Sequence, residues 1–160
     1  MDFQALIHEC APTVAPSVIR AIIRTESNFD PLALNINGPV RLTKRAKSVA
    51  EAASWAQWLI SQGYSVDVGL MQINSRNLAW LQLTLIDAFD PCTNIRAGAS
   101  ILAAQYDLAR KTHGEGEAAL LRAISAYNTG NFHRGFSNGY VDKVLMNGHA
   151  ATAYACVKSC

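Results

Sequence analysis

The stretch PSVIRAIIRTESNFDP, residues 16–31, decides the fold, because it runs an amphipathic helix straight into a polar stop. Pro16 suits the first turn of a helix, where a missing backbone N–H costs nothing. Counting from Ile19, the residues Ile22, Ile23 and Glu26 fall three, four and seven positions on, which is the spacing of one helix face. That face is expected in a core, and the helix is expected to end near Ser27. Arg20 and Arg24 lie on another face. A carboxylate that closes an apolar stripe in the last turn feels both desolvation and the negative end of the helix dipole. Each disfavours its charged form, so Glu26 is expected to titrate above the ordinary carboxylate range and to donate a proton near neutrality. The competing reading is a glutamate that bends out to water, and the remaining segments decide between the two.

Around this stretch the chain has 160 residues, enough for one compact domain over residues 1–160. Half of them are hydrophobic and 16% are charged, which excludes a disordered composition. The formal net charge of +2 is too small to argue for nucleic acid. Arg41, Lys44, Arg45 and Lys47 make a local basic cluster, read as a solvated loop. No apolar run approaches the ~20 residues of a membrane span. The first residues lack the charged start and long apolar centre of an export signal. The chain therefore reads as soluble, either cytosolic or a mature domain that follows signal removal. Cysteines stand at 10, 92, 156 and 160 and allow three complete pairings, among which the sequence does not choose. The preferred pairing joins Cys10 to Cys92 and Cys156 to Cys160 in an oxidising compartment. Spacing does not suit zinc, and neither a metal nor an organic cofactor is expected.

Punctuation along the chain predicts mostly helices. Residues 2–11 read as a short helix before Pro12, and residues 30–47 as a loop with a short strand at Val40, Arg41 and Leu42. Ser48 and Glu51 form a capping-box pattern for a helix with Ala52, Trp55, Ala56, Leu59 and Ile60 on one face, stopped by Gly63. Residues 64–68 are expected to pair with the earlier strand. Asp90 and Pro91 open the longest stripe, carried by Ile95, Ala99, Leu102, Tyr106 and Ala109 and ending near Gly114. Further helices are expected over 115–128 and over 140–147, the last closed by Gly148, with a short tail beyond. The fold class is mainly α, an α+β single domain with one minor strand pair.

Three motifs follow in order: ESNFDP at 26–31, GLMQIN at 69–74 and AYNTG at 126–130. Together they resemble the soluble lytic transglycosylase family of the lysozyme superfamily. GYSVDVGLMQINSRNL at 63–78, Asp90-Pro91-Cys92 and RGFSNGYV at 134–141 are similar in particular to the specialised transglycosylases of bacterial type IV secretion systems. The resemblance covers residues 10–144 and implies a lysozyme-like fold. It departs from simpler members in an insert at residues 37–67, which could shape a cleft wall or dock a partner.

The resemblance implies a peptidoglycan lytic transglycosylase in the periplasm, with glycan strands as substrate and components of a type IV secretion apparatus as partners. Glu26 would be the sole catalytic acid and base. Asp30 and Asp67, the nearby acids in sequence, are read as loop or turn residues. Ser27 has no histidine base to make it a nucleophile and would orient sugar or cap the helix. Gly69 would admit close backbone approach, Met71 would line an apolar floor, Leu70 would stand with them among the substrate-binding residues, and Gln72 would offer a donor and an acceptor to an acetamido group. Tyr127 would direct its hydroxyl to Glu26, Asn128 would present an amide, and Tyr140 would close the cleft. The alternatives are a hydrolytic muramidase and a wall-binding assembly scaffold without turnover.

Overall fold

The computed structural model describes the backbone of residues 1–157 and the side chains of residues 1–148. The expected bond between Cys156 and Cys160 lies outside the described side chains. In chain order the helices are α1 (Phe3–Cys10), α2 (Pro16–Ser27), α3 (Val49–Ser61), α4 (Leu78–Leu81), α5 (Leu85–Phe89), α6 (Pro91–His113), α7 (Glu117–Thr129), α8 (Arg134–Ser137) and α9 (Tyr140–Val157). The strands are β1 (Leu34–Asn37), β2 (Ser65–Val68) and β3 (Ile73–Asn74), with a single 3₁₀ turn at Ser75–Asn77. The fold is mainly α with a small antiparallel sheet in the order β1-β2-β3.

The helix starts follow from their caps. Asp2 Oδ1 accepts from the backbone N–H groups of Gln4 at 2.9 Å and Ala5 at 3.3 Å, which opens α1. Ser48 Oγ accepts from Glu51 N at 3.2 Å. The Glu51 carboxylate reaches back to accept from Lys47 N at 2.6 Å, one residue beyond the Ser48 N–H that the reciprocal arm of a capping box would take. Asp90 Oδ1 takes Thr93 N at 2.8 Å and starts α6 beside Pro91. Thr84 and Asp87 make a full capping box on α5. The hydrogen bond from the Thr84 hydroxyl, helped by the Thr84 N–H, holds the exposed Asp87 carboxyl below its ordinary value.

The chain forms two compact units, Met1–Pro12 with Glu26–Gly98, and Thr13–Thr25 with the chain from Ala99 onward. In the first, α3 packs on α5 and on β2. Its core includes Ala52, Ala56, Leu59, Val66, Val68, Leu70, Met71, Ile73 and Phe89, all buried. Burial of each large apolar side chain there contributes about 1.5–3 kcal/mol. A disulfide joins Cys10 to Cys92, as preferred from the sequence, and closes a separation of 82 residues. In the second unit α7 packs on α8 and α9. Ile19, Ile22 and Ile23 of α2 are each fully buried there, so the stripe seen in the sequence does face a core.

Three expectations need correction. The first sheet strand is Leu34–Asn37, not residues 40–42. Leu34 and Ile36 alternate with outward Asn35 and Asn37, and Asn37 Nδ2 donates to Asp67 Oδ2 at 2.8 Å across the β1-β2 ladder. At residues 40–42, by contrast, Arg41 turns its guanidinium back onto the carbonyls of Gly38 at 2.5 Å and Val40 at 2.9 Å, and Val40 and Leu42 stay exposed. The sheet also gains a third strand, since Asp67 and Val68 pair with Asn74 and Ile73. Finally, the last helix does not close at Gly148 but continues through it to Val157. A glycine inside a helix costs only about 1 kcal/mol. Next to it, Asn147 Nδ2 donates to Thr25 Oγ1 at 2.9 Å, and a Cβ on Gly148 would stand 3.7 Å from Ala21 Cβ, so α9 runs close along α2 there.

Candidate active site

In the first unit the site begins where α2 ends. Glu26 is half-buried in the last turn, and Ser27 Oγ donates to the Leu70 carbonyl at 2.8 Å. One hydroxyl therefore ties the ES helix end to the GLMQ turn across 43 residues of sequence. Beyond Ser27 the backbone turns through two left-handed residues, Asn28 at φ +50° and Phe29 at φ +65°. For a phenylalanine that conformation costs about 1–2 kcal/mol. The Phe29 ring packs on Phe3 with centroids 5.0 Å apart, a contact that offsets part of it.

The turn at residues 69–72 is organised by a residue the sequence reading passed over. Asn94 is fully buried in the first turn of α6. Its Oδ1 accepts from Met71 N at 2.7 Å, and its Nδ2 donates to Val68 O at 2.9 Å and Ala88 O at 2.7 Å. Gly69, at φ +75°, is what makes room for it, since a Cβ there would stand 2.3 Å from Asn94 Nδ2. Leu70 and Met71 are fully buried. Met71 lies against α6 so closely that a Cβ on Gly98 would meet its sulfur at 2.5 Å. What this turn offers to solvent is thus backbone and Gln72.

Gln72, also left-handed at φ +52°, is half-buried. Its Nε2 donates to Gly69 O at 2.9 Å and Ala33 O at 3.3 Å, while its Oε1 accepts from Asn35 Nδ2 at 2.7 Å. The amide is committed on both sides, with exposed Asn35 as its outward continuation. The alternation of Leu34 and Ile36 with Asn35 and Asn37 was the signal in the sequence for both the strand and this residue. For Asn94 the only signal was an amide one position from Ile95, just behind Asp90-Pro91-Cys92.

The two neighbouring acids have structural partners. Asp30 pairs with Arg45 and accepts from Leu32 N at 3.1 Å. Asp67 sits in β2 and accepts from Asn37 at 2.8 Å and Asn74 at 2.7 Å, one on each oxygen. Asp67 is therefore a strand residue that fastens the outward face of the sheet.

In the second unit α7 carries half-buried Tyr127 and exposed Asn128 and ends at left-handed Gly130, φ +66°. Asn128 Oδ1 accepts from Asn138 Nδ2 at 3.0 Å, and Arg134 Nη2 caps the Thr129 carbonyl at 2.9 Å. Behind them, buried Ser125 donates to Asn131 O at 2.7 Å and accepts from Gly135 N at 2.8 Å. Gly135 is required, since a Cβ there would fall 2.5 Å from Ser125 Cα. Tyr140 begins α9 and is 8% exposed. Thus Glu26, Ser27 and residues 69–72 come together in one unit, and Tyr127, Asn128 and Tyr140 lie in the other.

The ES helix end, hydroxyl-linked through Ser27 to the glycine turn, lies in the first unit, and the YN helix end lies in the second, with the three motifs in the order ES, GLMQ and AYNTG along the chain. Residues 5–147 match the transglycosylase SLT domain family. This chain belongs to that family. As an SLT domain it is 45% identical over 143 residues to protein virB1 of Agrobacterium fabrum, across 89% of this chain and 58% of that one. It is 39% identical over 158 residues to type IV secretion system protein virB1 of Brucella abortus biovar 1, across 95% of this chain and 66% of that one. The SLT domain thus spans between 58% and 66% of the length of these curated relatives. No solved structure matches the chain.

Proposed function

We propose that this SLT domain is a peptidoglycan lytic transglycosylase with Glu26 as its single acid and base. The observation that carries the reading is the junction of the ES helix end with the GLMQ turn through Ser27 and Leu70, while Asp30 and Asp67 serve other partners. A retaining hydrolase places a second carboxylate about 5 Å from its acid, and both neighbouring aspartates are instead engaged by Arg45, Asn37 and Asn74. The reaction that needs one carboxylate starts with protonated Glu26 giving its proton to the glycosidic oxygen between N-acetylmuramic acid and N-acetylglucosamine. As the bond breaks, the N-acetyl carbonyl of the muramoyl sugar stabilises its cationic C1. The Glu26 carboxylate then takes the proton of that sugar's C6 hydroxyl, whose oxygen closes on C1. The product is a 1,6-anhydromuramoyl end, formed without water.

Tyr127, Asn128 and Tyr140 serve as sugar-binding residues in this proposal, with Ser27, Gly69, Leu70, Met71 and Gln72 shaping the acid's side of the site. The name of the Brucella relative, a type IV secretion system protein, supports a role in such a system, and the proposal is that the domain opens the cell wall for it in the periplasm. Mass spectrometry of muropeptides released from purified peptidoglycan tests the reading. Anhydromuramoyl products are expected, and a Glu26→Gln variant should lose them by about a hundredfold or more. Reducing-end products would make the domain a hydrolytic muramidase instead, and no product from the unsubstituted protein would favour the wall-binding scaffold.

A further inference from the structure

The basic cluster at residues 41–47 and the outer face of α3 have no part in the proposed reaction, yet they share one surface of the first unit. Leu42, Thr43, Lys44, Trp55, Trp58 and Leu59 line an open depression of about 280 Å³. Its apolar lining is recessed at Leu59, only 2% exposed, and stands out at Trp58, which is 62% exposed. A second depression, of about 650 Å³, runs from Trp58 and the small residues Ala50, Ala53 and Ser54 of α3 to Leu85 and Ile86 of α5. Trp58 is the ridge between the two, and Ile86 on the far side is also 62% exposed. Large apolar side chains grouped this way in water mark an interaction site.

Charge tells what kind of partner fits. Arg41, Lys44, Arg45 and Lys47 fall within one short segment, and Lys44 lines the depression itself. The acids close by are already engaged, Asp30 with Arg45 and Glu51 with the backbone of Lys47. We infer that this surface docks an acidic protein segment, whose large apolar side chain enters the depression beside Trp58 while flanking carboxylates face Lys44 and Lys47. A tryptophan beside an apolar recess, ringed by polar side chains, matches the layout of a binding hot spot. A bilayer is a poorer fit, because a flat partner does not fill a recess. Nucleic acid is poorer still. Phosphate binding scales with available cations, and here Arg45 is held by Asp30 and Arg41 by its own backbone.

The test is a selection of short random peptides displayed against the full chain, with counter-selection on Trp58→Ala and Lys44→Glu variants. The binding of one selected peptide is then measured by fluorescence anisotropy at low and raised salt. Both substituted side chains are exposed, and circular dichroism verifies that the variants fold. The expected winners carry an aromatic or branched aliphatic residue among several acids, bind about tenfold or more weakly to either variant, and weaken with salt. Peptides without acids, peptides that bind both variants as well as the original chain, or no specific peptide would overturn the inference. So would binding to phosphatidylglycerol vesicles or to peptidoglycan sacculi that depends on Trp58 and Lys44, which would assign the surface to lipid or wall. Muropeptide release is expected to be unchanged in both variants, so failure here is separable from failure of the proposed reaction.

Discussion

The turn at residues 69–72 and the helix end at residues 126–130 both need left-handed backbone, at Gly69 and Gln72 in one and at Gly130 in the other. The first is held from inside by the fully buried Asn94, which reaches back 23 residues to Met71. The second is held mainly by near neighbours in sequence, through Ser125, Arg134 and the exposed pair of Asn128 and Asn138. A buried amide that serves three backbone groups makes the turn part of the core, so the turn and the core fail together. The bonds of the exposed Asn128, Asn138 and Arg134 can be lost one at a time, because water replaces them, while buried Ser125 anchors this end from inside.

Substitutions in the two regions test this contrast. The largest loss is expected from Cys92→Ser, which opens the loop that ends two residues before Asn94. Chain entropy puts the cost at about 4 kcal/mol, read as a lower urea midpoint, and an unchanged midpoint would mean that the packing around α1 and α6 suffices without the bond. Asn94→Ala should cost about 3 kcal/mol, because Met71 N and the carbonyls of Val68 and Ala88 lose their partner in the core. Ser27→Ala removes one hydrogen bond and should cost about 1 kcal/mol. If the proposed reaction holds, muropeptide release by that variant drops while its circular dichroism stays the same.

At the other pole, Asn138→Ala should move stability by no more than about 0.5 kcal/mol. A loss as large as that of Asn94→Ala would erase the distinction between the two regions. The smallest effect concerns Asp87. Its folded pKa lies below the unfolded value of 3.8, so its contribution is present above that pH and fades as the pH falls through the folded value. A Thr84→Ala variant should lack that acid-side slope in stability, and an identical slope in both proteins would remove Thr84 as its cause.

Much of this was written in the chain. Pro16, Asp90-Pro91, Ser48 and Gly63 marked helix ends because each acts through its own backbone or an adjacent one. The place of Glu26 at the end of α2 was legible for the same reason, as a charge that closed an apolar stripe. Long-range effects were not. Asn35 and Asn37 are turn formers by type, which masks their alternation with Leu34 and Ile36 until pairing with β2 makes a strand of it. Gly148 reads as a stop unless α2 is known to lie beside it. The short helices α4, α5 and α8 are too brief to show a period. Asn94 has one meaning as a letter in a helix and another once Gly69 has left room for its amide.

The run of positive φ angles at Asn28, Phe29, Gly69 and Gln72 restricts which amino acids this corner can be spelled with. β-branched side chains are excluded at all four positions by backbone sterics, whatever their polarity, while glycine and asparagine are admissible. A library that randomises these positions and is screened for folding alone should be depleted of Val, Ile and Thr even where no substrate is present. The letters around the acid therefore record a shape as well as a chemistry, and part of what looks like a catalytic motif is a vocabulary imposed by handedness.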